Sequence, residues 1–409
     1  MPKRFALFLP LATLTAAPAA GQLLPSVGQT VGRVLDTAGR TLDPVEGAVG
    51  DVTRGATRLA DARRLRLSDF VRRNRDVLEL DAAGDPARRG ELLLMGASDA
   101  DVARAEAAGF AVLGNERLGT LDIAVVRLGI PARQSLAKAE AGLKKLLPDA
   151  TVSADTLHFQ SGTLAATDGP RPSPTAASID QTVGMIDGAP GAAIAVTATR
   201  GFARGAPTPS HHGSAVASLL RLAGVRRIAV ADVYGAEPAG GNALAVARGL
   251  DWLVGPQGSR IVSISLVGPD NPLVARAIAA AQRRGVHIVA AVGNDGPAAP
   301  PSYPASYPGV IAVTAVDGRG RALIEAGRAG HLDYAAPGAD MLAANAGGRW
   351  VKVRGTSYAA PFAAARAAAA LDRGAVIPTL DREALDLGRK GADPVFGRGL
   401  LCPTCARRK

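Results

Sequence analysis

Five short, largely apolar runs constrain the second half of this chain. They are TVGMID from Thr182, RRIAVADVY from Arg226, RIVSISL from Arg260, GVHIVAAV from Gly285 and GVIAVTAV from Gly309. Each is rich in β-branched residues and lacks a clean polar alternation, which is how a strand buried on both faces reads. Between them lie GSAVASLLRLAG, NALAVARGLDWLVG and PLVARAIAAAQRRG, with apolar residues at helical spacing. Such alternation predicts an α/β fold, a mostly parallel sheet covered by helices on both faces. Sites in such sheets form beyond the carboxyl ends of the strands.

Polar residues stand at those ends. Asp187 closes VGMID, Asn294 follows AAVG, His212 opens a helix in SHHGSAVASLL, and Ser357 heads an alanine-rich helix in RGTSYAAP. Acid, imidazole, amide and hydroxyl are the parts that acyl transfer needs. A serine hydroxyl is a weak nucleophile until a base takes its proton. A carboxylate can hold the imidazole in the right tautomer, and an amide N–H can donate to an oxyanion. Each residue also has a plainer reading. Ser357 could cap a helix, and Asn-Asp-Gly from Asn294 is good turn chemistry. His211 and Asp180 are nearby rivals for base and acid.

The motifs bear on that choice. HGSAVA (His212 to Ala217) resembles the H-G-T-x-V-A of the subtilisin family of serine peptidases, and GTSYAAP (Gly355 to Pro361) resembles its G-T-S-x-A-x-P. VGMID, AAVGN and ISLVGP resemble the strands of the family's aspartate, oxyanion amide and substrate cleft. The chain order Asp, His, Ser is the family's own. The resemblance implies a nucleophile at Ser357, a base at His212, its orienter at Asp187 and an oxyanion donor at Asn294. It implies that Leu266, Val267 and Gly268 pair with an extended polypeptide substrate. Asp295 and Ser302 would line the first specificity pocket, mildly favouring Lys or Arg. The chain departs from the pattern where Gly188 and Ala189 follow the aspartate and where Ser214 replaces Thr. An α/β-hydrolase reading fails, because that fold wants G-x-S-x-G and a later histidine, and no histidine follows Ser357.

The first half divides by composition. Residues 1–19 read as a signal peptide: Lys3 and Arg4, then FALFLPLATLTAA and a small-residue APA. Residues 20–87 form a pro-region with a helix and a hairpin around D-A-A-G-D-P, partly disordered. Residues 88–156 alternate β-α-β-β-α-β, a small α+β ferredoxin-like unit. The family resemblance makes it a pro-domain that inhibits the enzyme within the same chain. Residues 157–177 read as a linker, 178–400 as the peptidase domain and 401–409 as a tail. Cys402 and Cys405 suit a small disulfide loop better than a zinc site, which needs about four ligands. No cofactor is expected, and no acidic calcium loop or other metal site is evident. The formal charge is +11. No basic run is interleaved with aromatics, so nucleic acid is not an expected partner. No apolar run is long enough for a membrane span. The expectation is an exported monomer, periplasmic or secreted.

Overall fold

The computed structural model describes residues 61–173 and 177–405. The signal-peptide reading of residues 1–19 lies outside the described residues. Helix α1 covers residues 61–73. The hairpin of β1 (Leu78–Leu80) and β2 (Pro86–Met95) turns at D-A-A-G-D-P. Next come α2 (Asp99–Ala107), β3 (Ala111–Leu118), β4 (Ile123–Gly129), α3 (Leu136–Leu146) and β5 (Thr151–Thr156). The strand order is β5-β2-β4-β3, antiparallel throughout. A reciprocal Ser98–Asp101 box caps α2. Leu92 and Leu94 pack with Ala105, Leu136 and Leu143 beneath the unit's own helices. Leu93 and Met95 point the other way, into a cluster with Leu244 and Val274 of the second unit. The run LLLM has no polar alternate because both faces of β2 are covered.

Two strands follow, β6 (Phe159–Gln160) and β7 (Thr163–Gly169). They stand where composition suggested a linker. The second unit then carries β8 (Ile179–Asp187), β9 (Ala198–Gly201), α4 (His211–Leu222), β10 (Val225–Asp232), α5 (Ala243–Val254), β11 (Ile261–Ile264) and β12 (Leu266–Val267). It continues with α6 (Pro272–Arg283), β13 (His287–Ala291), β14 (Ile311–Val316), β15 (Tyr334–Pro337), β16 (Met341–Ala344), β17 (Trp350–Arg354), α7 (Ala360–Leu371) and α8 (Val376–Glu383). Its main sheet is parallel, in the order β15-β14-β13-β11-β8-β10-β9. Helices α4 and α7 pack in the cluster on one face, and α5 and α6 in that on the other. Helix α7 is alanine-rich and buried almost all round, so it can lie close against the sheet.

The linker expectation failed because Gly, Ser and Thr hid two strands that exist only by pairing. β6 runs antiparallel to β12, and β7 antiparallel to β17. Open strand edges on the second unit supply the hydrogen bonds these segments lack alone. Cys402 and Cys405 are joined in a disulfide. No helix among the described residues is long and apolar enough to cross a membrane.

Candidate active site

Asp187 ends the interior strand β8 and is buried. His212 lies in the first turn of α4, also buried, with Nδ1 at 3.0 and 2.9 Å from the two Asp187 carboxylate oxygens. Asp187 Oδ1 also accepts from the Gly188 backbone N–H at 2.7 Å. Glycines make this approach feasible. A Cβ on Gly213 would fall 1.9 Å from the Gly188 carbonyl oxygen, and one on Gly188 would fall 2.5 Å from Ser210 Cβ. The departure at Gly188 thus lets the helix start sit directly on the strand end. Ser214, the other departure, donates to the Ser210 carbonyl and accepts from the Gly191 N–H.

Ser357 lies in a short 3₁₀ turn, Thr356–Tyr358, that leads into α7, with Pro361 in the first turn of that helix. Gly355 has φ of 143°, and a Cβ there would meet Asn294 Nδ2 and Gly162 Cα, both at 2.9 Å. The glycine that opens the G-T-S motif is therefore required by conformation and by space. The Thr356 N–H donates to Asn294 Oδ1 at 2.9 Å. Thr356 Oγ1 accepts from the Gly293 N–H at 3.0 Å. These bonds fix the amide, whose Nδ2 is buried and has no hydrogen-bond partner. A buried, unpaired donor is costly unless something fills it. The neighbouring Tyr358 hydroxyl is held neutral, its pKa pushed well up by burial and then by Asp187.

The site holds part of its own chain. The strand β6 leads into Ser161, whose carbonyl oxygen is 3.1 Å from His212 Nε2. The hydroxyls of Ser161 and Ser357 are 3.0 Å apart, and Ser357 Oγ also donates to the Ser265 carbonyl. Gln160 Nε2 donates to Asp187 Oδ1 at 2.7 Å and to Ser210 Oγ. Gly162 passes over Tyr358, where a Cβ would lie 2.7 Å from its ring. The hydrogen bonds of Ser357 Oγ thus go to Ser161 and Ser265 in this state, with the Ser161 carbonyl bonded to His212.

The sequence-derived residues gather around this point. Leu266 and Val267 form the strand that pairs with β6, and Gly268 bridges Tyr303 while His158 lies on it. Ser302 donates its N–H to the Arg328 carbonyl, and its hydroxyl lies beside the space a Gly293 Cβ would fill. Asp295 differs from its expected role as an open rim carboxylate, because α1 crosses the rim. Arg63 Nε and Arg66 donate to its two oxygens at 3.0 and 2.7 Å. Gln160, Ser161, Arg63 and Arg66 were not singled out from sequence. Alternation in LHFQ was the one available signal for Gln160, and it is short. No cluster of three or more His, Cys, Asp or Glu among the described residues could hold a metal ion.

Parts of this chain resemble known proteins. Residues 197–379 match the model of the subtilase family. That span takes in His212, Asn294 and Ser357 but begins beyond Asp187, so the acid rests on its geometry. Subtilisin Savinase of Lederbergia lenta is 35% identical over 166 residues, 39% of this chain and 61% of that protein. Minor extracellular protease Epr of Bacillus subtilis (strain 168) is 28% identical over 198 residues, 47% of this chain and 30% of that protein. The chain therefore spans less than two thirds of the length of either. Among solved structures, fervidolysin from Fervidobacterium pennivorans, a keratinolytic enzyme related to subtilisin, superposes with a TM-score of 0.64 at 18% identity. The superposition covers 78% of this chain and 61% of that one, a likeness of fold.

Proposed function

Taking this chain as a subtilisin-like member of the subtilase family, we propose that it is an exported serine endopeptidase made as a zymogen. Ser357 Oγ attacks a peptide carbonyl carbon while His212 Nε2 takes its proton. Asp187 accepts from Nδ1–H and stabilises the imidazolium. The oxyanion receives Asn294 Nδ2–H and the Ser357 backbone N–H. His212 then gives the proton to the leaving amine, and water repeats the sequence on the acyl-enzyme. The substrate strand is taken up along Leu266 and Val267 by strand addition. The observation that carries this reading is the buried, unpartnered Nδ2 of Asn294, held beside Ser357 by Thr356. A site meant only for binding has no use for an unfilled buried donor.

Residues 88–156 act as the pro-domain and 157–161 as the segment that fills the cleft. The first substrate is the chain's own Ser161–Gly162 bond: the Ser161 carbonyl is bonded to His212 Nε2, and the Ser161 hydroxyl lies 3.0 Å from Ser357 Oγ. The extracellular name of the Bacillus relative favours export. A fluorophosphonate probe tests the nucleophile. It should label Ser357 in the matured chain and lose most labelling in His212→Ala. Equal labelling of both would remove His212 as the base.

A further inference from the structure

A strand laid along β12 shows alternate side chains to the enzyme and to the outside. His158 and Gln160 face the second unit, one over Gly268 and the other on Asp187. Leu157 and Phe159 face outward, where solvent would be expected, yet Phe159 is only 5% exposed. The cover is α1. Leu67 and Val71 are buried in one cluster with Leu78, Leu157, Phe159 and Ala239. Phe70 meets Phe159 edge to face, with ring centroids 5.7 Å apart. Leu67, Phe70 and Val71 have the spacing of one helix face. One turn earlier, Arg63 and Arg66 grip Asp295, which directly follows Asn294. These three side chains are only 24%, 20% and 23% exposed, so the contact is better shielded than an ordinary surface pair.

We propose that α1 is a latch on the occupied cleft. It presses the 157–160 strand in place from its outer face and is anchored to the catalytic rim by the Arg63, Arg66 and Asp295 contact. β6 pairs with β12 over two residues, and so short a ladder is weak without a cover. Undocking the antiparallel sheet is then insufficient to free the cleft, because α1 must also let go. The functional meaning rests on the zymogen reading above, but the latch can be measured without any catalysis.

The test is hydrogen exchange on the full chain carrying Ser357→Ala, which cannot cut itself. In that background Arg63→Ala with Arg66→Ala should speed exchange of the 158–161 amides by about tenfold. The reporter amides include that of His158, bonded to the Gly241 carbonyl at 2.7 Å. Amides of β2 and β4 should not change. Asp295→Arg should open the same amides, and adding Arg63→Asp and Arg66→Asp to it should restore their protection. Unchanged exchange in the double variant would overturn the latch. So would failure of the inverted charges to restore protection, or an acceleration shared equally by β2 and β4. If the chain that keeps Ser357 fails fluorophosphonate labelling while the Ser357→Ala series shows these exchange changes, the latch stands and the peptidase reading falls.

Discussion

Asn294 and Gly213 show how single residues decide this site. The amide is braced through its oxygen and left free at its nitrogen. Asn294→Ala should lower kcat by roughly 10²–10³ with KM nearly unchanged, the magnitude characteristic of a subtilisin oxyanion amide carried over to this chain. Steady-state kinetics on the matured enzyme checks it, and a loss under about threefold would reduce Asn294 to a turn former. Gly213 is a steric case. Its added Cβ would collide with backbone rather than with a movable side chain. Gly213→Ala should destabilise the second unit by on the order of 3 kcal/mol, read as a shift in the denaturant midpoint. A stability within about 0.5 kcal/mol of the parent would mean that α4 can slide away from Gly188.

At the scale of elements, the interface between the two units sets paired charges beside the apolar contact made by Leu93 and Met95. A cavity of about 710 Å³ lies between them, with Arg88, Glu91, Arg127, Asp155 and Glu237 among its lining residues. Arg88 reaches across to Glu237 at 3.1 Å, and Arg248 reaches back to Glu116. Asp155 on β5 accepts from the N–H of Leu244 in the first turn of α5, a cap delivered from the other unit. Burial pushes Asp155 up to about 7 from an ordinary 3.8, while burial pushes His158 down to about 4 from 6.5. The signs oppose each other. Docking favours protonated Asp155, a contribution full below 3.8 and lost as pH rises through about 7. Docking favours neutral His158, a contribution full above 6.5 and lost as pH falls through about 4. Asp155→Asn should leave an affinity between the units that falls on acidification from pH 6.5 to 4. His158→Phe should leave one that falls as pH rises from 4 to 7. Titrating the docked fraction of a Ser357→Ala protein nicked in trans by a second protease measures both, and parallel slopes would refute the pairing.

At the scale of the whole molecule, one strip of chain joins the two units through the candidate site. If Ser161–Gly162 is the maturation bond, the wild type should yield a product beginning at Gly162, with β7 still paired to β17. The Ser357→Ala chain should not be cut at that bond. Mass spectrometry of both decides it, and a new N-terminus beyond Gly169 would assign the cut to another bond. Much of this architecture was legible in the sequence. The apolar strands gave the parallel sheet, and two sharp motifs pointed to Ser357 and His212, which the fold brings to one place. The hairpin at D-A-A-G-D-P and the β-α-β-β-α-β succession were legible too, because local turn chemistry and periodicity carry them. β6 and β7 were not legible, since their order comes from partners far away in sequence.

The sequence by itself determined which chemistry could be present: an acid and an amide at strand ends and an imidazole and a hydroxyl at helix starts, in an order that a chance arrangement rarely produces. Only the tertiary structure decided what each group touches. It bonded Ser357 to Ser161, turned Gln160 onto Asp187 and handed Asp295 to two arginines of a distant helix. Motifs are local and survive in a linear reading. Contacts between residues 63 and 295, or 161 and 357, arise only when the chain closes those long loops. Nothing in the composition of either partner records that closure.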